Sequence, residues 1–126
     1  MNALLWILQL VLAAAFLAHG LMLLRPPADL IGLLNESMST GFRIFLGIAE
    51  VLAAAGLTLP GVTRILPWLV PAAAVGIMIV MVGATILHVQ RNEVSAAVTT
   101  AVLLILATFV AYMRWKVRPI APRSAA

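Results

Sequence analysis

The most informative segment of this chain is Leu46-Gly47-Ile48-Ala49-Glu50-Val51-Leu52-Ala53-Ala54-Ala55-Gly56-Leu57. It places one carboxylate, that of Glu50, in the middle of an apolar segment that predicts a membrane-spanning helix. A charged side chain at that depth costs roughly 2.5–3.5 kcal/mol on insertion scales, and such residues almost always face the interior of a bundle. The other polar residues within the apolar segments are therefore candidate partners of Glu50.

The composition indicates an integral membrane protein. Of 126 residues, 64% are hydrophobic and 10% are charged, whereas soluble domains carry about 25% charged residues. The absence of cysteine from the sequence excludes disulfides and thiolate metal sites. Membrane topology accounts for the excess of eight Lys and Arg over four Asp and Glu, so we expect a lipid bilayer and no nucleic acid as partner.

The apolar segments predict an all-α bundle of four transmembrane helices in a single domain, residues 1–114. The spans cover about 3–24, 42–59, 68–90 and 94–113, and residues 115–126 form a basic tail. Pro60-Gly61 is expected to end the second span. In the loop between the first two spans, residues 30–34 carry the leucines and isoleucine of a short interfacial helix.

The charges predict the orientation. With four spans, both termini lie on one face together with Arg64, Arg114, Lys116, Arg118 and Arg123, and with no acid. The positive-inside rule therefore puts both termini in the cytoplasm, and the protein is expected in a bacterial inner (plasma) membrane.

Several polar residues are predicted to meet near Glu50, in the half of the membrane away from the termini. Arg43 precedes Glu50 by seven residues and shares its helical face. The proposed catalytic residues are Glu50, His19 and His88, and the proposed ligand-binding residues are Arg43, Thr85, Met81 and Gly47.

Each of these residues also has a purely structural interpretation. Glu50 is then a packing residue, Arg43 extends to lipid headgroups, and His88 is merely interfacial. His19 is equally well explained by a hydrogen bond between helices. Gln9 is best explained in this way, as a polar contact between two spans.

No spacing in the sequence specifies a cofactor. Two histidines and a carboxylate are a known metal-ligand set, and His19 with His88 is a candidate haem pair, but neither pattern is required by the sequence. We therefore predict neither metal nor haem and retain a quinone as the candidate cofactor. Phosphate-binding loops, hydrolase elbows and zincin motifs are absent from the sequence.

The chain resembles the DoxX-like family of small four-span membrane proteins over roughly residues 4–114. The segments that carry the resemblance are Phe16–Met22, Gly47–Glu50, Gly56–Pro60, Leu66–Ala73 and Met81–Ala84 with His88. The resemblance implies a four-helix fold. It also implies a varied functional record, since some relatives look like subunits of thiosulfate:quinone oxidoreductases or other membrane oxidoreductase complexes.

Three functions remain open from the sequence. The first is a polar pocket around Glu50 that binds, and perhaps transforms by acid–base or redox-linked chemistry, a lipophilic molecule such as a quinone or an isoprenoid-like lipid. The second is a non-catalytic accessory subunit of a membrane oxidoreductase complex. The third is a small proton-coupled transporter, for which a homo-oligomer would be needed.

Overall fold

The computed structural model describes residues 1–123 of the chain, and every regular element in that range is helical. The elements are α1 (Asn2–Leu24), α2 (Ala28–Ser37), α3 (Thr40–Thr63), α4 (Leu69–Gln90), α5 (Val94–Tyr112) and a π-helical segment (Met113–Val117). Residues 124–126, the end of the predicted basic tail, lie outside the described residues.

Four of these helices confirm the predicted membrane spans. α1, α3, α4 and the continuous helix Val94–Val117 are each long and apolar enough to cross a bilayer. α2 is the short helix expected between the first two spans, and none of its residues is buried. Its C-terminal residue Ser37 accepts a hydrogen bond from Arg91 through its backbone carbonyl at 3.3 Å.

α3 is longer than the sequence pattern suggests at both ends. The hydroxyl of Ser39 accepts a hydrogen bond from the backbone N–H of Phe42 at 3.2 Å, which caps the helix and starts it at Thr40. At the other end the helix continues through Pro60 to Thr63. Proline removes one backbone donor and its ring crowds the carbonyl of Gly56, but transmembrane helices tolerate this, so the expectation that Pro60-Gly61 ends the span is wrong. Arg64 then ends the helix with a φ of 59°.

The helices pack in the order α1, α3, α4, α5, each against the next. The first residues and the last described residues lie at one end of the bundle, because Arg114 donates a hydrogen bond to Asn2 and Arg64 donates one to the carbonyl of Ala121. We call this end the terminal face and the other end the opposite face. The apolar core includes Leu12, Leu57 and other side chains of the four long helices.

Candidate functional site

Glu50 lies on the side of α3 that faces the bundle interior. Its side chain is only 3% exposed, as the sequence predicts for an intramembrane acid. A buried carboxylate needs a polar partner, since leaving it unpaired away from water is costly. The neighbouring helix α1 supplies that partner.

α1 and α3 approach each other closely at Gly20 and Gly47. A Cβ atom built on Gly20 would lie 2.9 Å from the carbonyl oxygen of Gly47, and one built on Gly47 would lie 3.0 Å from the carbonyl oxygen of Gly20. Glycine at both positions lets the two backbones meet, as small residues do in membrane helix pairs. Because His19 precedes Gly20, this contact brings the imidazole within reach of α3.

His19 and Glu50 form a hydrogen-bonded pair across this interface. Nδ1 of His19 lies 2.8 Å from Oε2 and 3.1 Å from Oε1 of Glu50. A single proton between the imidazole and the carboxylate holds the two groups together, whichever of them carries it. The structure thus brings together two of the three residues for which the sequence suggests a catalytic role.

The two members of the pair lie in different surroundings. The Glu50 side chain is buried, whereas that of His19 is 53% exposed. The pair therefore links a carboxylate inside the bundle to an imidazole on its outer surface. Each of the two neighbouring groups can hold a proton, one inside the bundle and the other at its outer surface.

A cleft of about 440 Å³ lies between α3 and α4, and Glu50 is part of its lining. Most of the other lining residues are small or aliphatic; they include Ala49, Ala53, Gly56, Ala72, Ala73 and Gly76, with Phe16 of α1. Among the described residues, Glu50 is the one ionisable side chain in this lining. We call this space the α3/α4 cleft. Glu50 thus both lines an apolar cleft and bonds to His19.

Arg43 does not pair with Glu50, contrary to the predicted cluster. Its side chain is buried, with a residue exposure of 6%, and its Nη1 donates a hydrogen bond to the backbone carbonyl of Leu23. The last carbonyls of a helix have no partner within the helix, and their partial negative charge attracts a cation. Arg43 therefore binds the C-terminal end of α1. Its Nε has no acceptor among residues 1–123.

His88 also lies apart from the pair. Its Nδ1 is 2.9 Å from Oε1 of Glu93, five residues along the chain. This local contact forms across the short connection between α4 and α5. The predicted catalytic cluster therefore contains His19 and Glu50 but not His88.

The remaining predicted ligand-binding residues occupy packing positions. Thr85 donates a hydrogen bond to the hydroxyl of Thr100 at 2.8 Å and so joins α4 to α5. Met81 belongs to the buried apolar core. Gly47 contributes to the close contact of α1 with α3. None of the three is part of the lining of the α3/α4 cleft.

A buried polar network near the terminal face includes Arg114, which the sequence pattern places only among the basic residues of that face. Nε of Arg114 donates to Oε1 of Gln9 at 2.6 Å, and Nη1 donates to Oδ1 of Asn2 at 2.7 Å. Nε2 of Gln9 donates in turn to the carbonyl of Leu57 at 2.8 Å, which confirms Gln9 as a contact between helices. The sequence could have predicted this network, because Asn2, Gln9 and Arg114 are polar residues at the same end of two predicted spans.

Metal ions in proteins are held by sets of His, Cys, Asp or Glu side chains that lie close together. In residues 1–123, no three His, Cys, Asp or Glu side chains lie close enough together to hold one. Among the described residues, the ionisable groups of the site are Glu50 and His19.

Four long apolar helices, one of which carries a buried acid, define a small four-span integral membrane protein. A sequence model of the DoxX-like family matches residues 7–110. The chain belongs to the DoxX-like family, as its sequence resemblance predicts. No curated protein and no solved structure matches it.

Proposed function

We propose that this protein binds a lipophilic molecule in the α3/α4 cleft and exchanges a proton with its head group through Glu50 and His19. The observation that carries the proposal is the double role of Glu50, which lines the cleft and bonds to a half-exposed histidine. An acid that served packing alone would need no apolar cleft beside it.

The cleft suits a ligand with an apolar chain and an oxygen-bearing head. Its volume of about 440 Å³ lies within the usual range for small-molecule sites, roughly 300–1,000 Å³. Its alanine and glycine lining offers a smooth surface for a chain, and Glu50 offers a hydrogen-bonding partner for the head. A quinone or an isoprenoid-like lipid has this combination of features. Such a ligand would reach the cleft from the surrounding bilayer.

The chemistry assigned to the pair is proton transfer. With the shared proton on Glu50, Glu50 would pass it to Nδ1 of His19 while its other oxygen accepts a proton from a hydroxyl of the ligand, and the imidazolium would then release a proton from Nε2. If the ligand is a quinone, its electrons come from or go to a membrane oxidoreductase, and this chain handles the protons only. We propose a bacterial inner membrane with both termini in the cytoplasm, and the orientation is supported by the terminal face, which carries five of the eight basic residues and no acid.

A second candidate function is that of an accessory subunit in a membrane oxidoreductase complex. The 53% exposure of the His19 side chain favours it, because a polar side chain on the outer surface of a span is a suitable contact for another membrane protein. In that case the Glu50–His19 pair would position the imidazole for the partner subunit.

Mass spectrometry of the lipids and quinones that co-purify with the protein tests the first proposal. Gly76 lines the cleft, and a Cβ atom built on it meets nothing within 4 Å. Gly76→Leu should therefore fill the cleft and remove the bound species. Gly83→Leu is the matched control, because Gly83 lies on the same helix with equal free space but outside the cleft lining.

Glu50→Gln tests whether binding requires the carboxylate, since glutamine has nearly the same shape and cannot exchange a proton at that position. Loss of the ligand in both Gly76→Leu and Glu50→Gln supports a site that uses the carboxylate. Retention of the ligand in Gly76→Leu would show that the cleft is not the binding site. If a partner protein is lost from Glu50→Gln while the lipids are unchanged, the accessory-subunit function is favoured.

A further inference from the structure

Arg114 is a buried cation without an anionic partner. Its residue exposure is 3%, and its hydrogen bonds go to neutral oxygens of Asn2, Gln9 and the Arg118 backbone. The guanidinium also lies 5.5 Å from the centre of the Trp6 ring. Among residues 1–123, nothing accepts a hydrogen bond from Nη2 of Arg114. A buried charge in this state is costly unless an anion compensates it.

No carboxylate side chain of the chain is in position to compensate this charge. Asp29, Glu36 and Glu93 belong to α2 and to the connection between α4 and α5, at the opposite face. Glu50 lies in the middle of α3 and is bonded to His19. An anion that compensated this charge would therefore come from outside the described residues.

A second cleft, of about 450 Å³, includes Arg114 in its lining. We call it the terminal cleft. Its other lining residues come from the connection between α3 and α4, the first turn of α4, the π-helical segment and the residues that follow it; they are Leu66, Pro67, Trp68, Pro71, Trp115, Pro119, Ile120 and Pro122. Trp68 and Trp115 are both exposed. Exposed tryptophans at the end of a span mark the level of the lipid headgroups.

We propose that the terminal cleft binds one anionic phospholipid, with its phosphate near Arg114 and its glycerol and upper chain against the tryptophans and prolines. Arginine binds phosphate oxygens through its planar set of N–H donors. Exposed Lys116 and Arg118 lie on the same segment and add to the attraction for a negative headgroup. The apolar remainder of the lining suits a lipid better than a free phosphate ion.

The buried arginine of the opposite face serves as a contrast. Arg43 likewise has one N–H without an acceptor among the described residues, but it is part of neither cleft lining. Of these two buried arginines of residues 1–123, Arg114 alone is part of the lining of one of the two clefts. The site is independent of the Glu50–His19 pair and of the function proposed for it.

Native mass spectrometry of the full chain, with equal amounts of phosphatidylglycerol and phosphatidylcholine, tests this proposal. The wild-type protein should retain phosphatidylglycerol in preference, and Arg114→Gln should lower the ratio of the two bound lipids roughly fivefold, the effect of one basic residue near a membrane surface. Arg91→Gln should keep the wild-type ratio, since Arg91 is an exposed arginine at the opposite face. A wild-type ratio near one, or an unchanged ratio in Arg114→Gln, would overturn the proposal.

Two further measurements keep the proposal testable if the Arg114→Gln variant does not fold. Trp115→Ala removes an exposed wall of the cleft while leaving the hydrogen bonds of Arg114 in place, and it should lose the bound lipid. Tyr112→Ala removes an exposed aromatic residue outside the lining and should keep the lipid. Inorganic phosphate added in excess should not displace the lipid; displacement would instead indicate a site for the free anion and contradict the lipid assignment.

Discussion

The carboxylate of Glu50 and Nδ1 of His19 lie 2.8 Å apart across the interface of α1 and α3, beside the point where Gly20 meets Gly47. The pair therefore depends on the distance between two helices, and the glycines keep that distance short. A larger separation would leave Glu50 buried without its partner. Structure and candidate function are coupled at this one contact.

The first prediction concerns the energy of the pair. His19→Ala should destabilise the protein, because it leaves a buried carboxylate unpaired, and the same change should be nearly neutral in a Glu50→Leu background. The difference between the two effects should be about 1.5–3 kcal/mol, the range for a hydrogen bond to a charged group. Reversible unfolding in micelles measures it for the four proteins of the cycle. Equal effects of His19→Ala in the two backgrounds would show that the contact contributes nothing to stability.

The second prediction concerns the glycine contact. Gly20→Ala should destabilise the bundle by about 1–3 kcal/mol, because the added methyl group overlaps with backbone that cannot move without separating the helices. Gly47→Ala should have a similar effect, since its Cβ would meet Leu24 at 2.9 Å. Both changes should also weaken whatever binding depends on Glu50.

Gly83→Ala is the control for this series. A Cβ atom there meets nothing within 4 Å, and alanine is favoured over glycine in a helix by roughly 0.5–1 kcal/mol. The thermal midpoint should therefore stay unchanged or rise. If Gly20→Ala were as well tolerated as Gly83→Ala, the close approach of α1 and α3 would not be a constraint on the fold.

The sequence predicts the spans and the burial of Glu50 because both follow from local composition. A long apolar segment must form a helix in a bilayer, since its backbone groups have no other partners there. An acid within that segment must turn inward. Gln9 follows the same logic, and its bond to the carbonyl of Leu57 confirms the expectation. These outcomes need no knowledge of how the helices are aligned.

The partners of the polar residues depend on that alignment, which the sequence does not specify. Arg43 shares a helical face with Glu50, but the last turn of α1 lies beside it and the carbonyl of Leu23 takes its N–H. His88 forms its hydrogen bond with Glu93, five residues along the chain, and the sequence alone does not rank this local partner above Glu50. Competing partners of this kind can be ranked only when the helix ends are placed in three dimensions.

The third prediction tests the network at the terminal face. Gln9→Leu should destabilise the protein by about 1–3 kcal/mol, because it removes the acceptor of Nε of Arg114 and the donor to the carbonyl of Leu57 in a buried site. Thr108→Val is the control, since Thr108 is exposed and bonds only within its own helix, to the carbonyl of Leu104. It should change stability by less than about 0.5 kcal/mol. Thermal unfolding in one detergent compares the two variants directly, and equal effects would argue against a stabilising role for Gln9.

The fourth prediction concerns orientation, which follows from charge. The terminal face carries the basic residues of the chain end, and the positive-inside rule places it in the cytoplasm. Because the natural sequence has no cysteine, one introduced thiol reports one position. Glu36→Cys on α2 should react with a membrane-impermeant maleimide in intact spheroplasts, whereas Arg123→Cys should react only after the membrane is permeabilised.

Arg123 is suited to this use, since its exposed side chain can be replaced while its backbone N–H still bonds to the carbonyl of Arg64. The unmodified chain is the blank in both conditions. Reaction of Arg123→Cys, but not of Glu36→Cys, in intact spheroplasts would reverse the orientation and place the half-exposed His19 in the cytoplasmic half of the membrane.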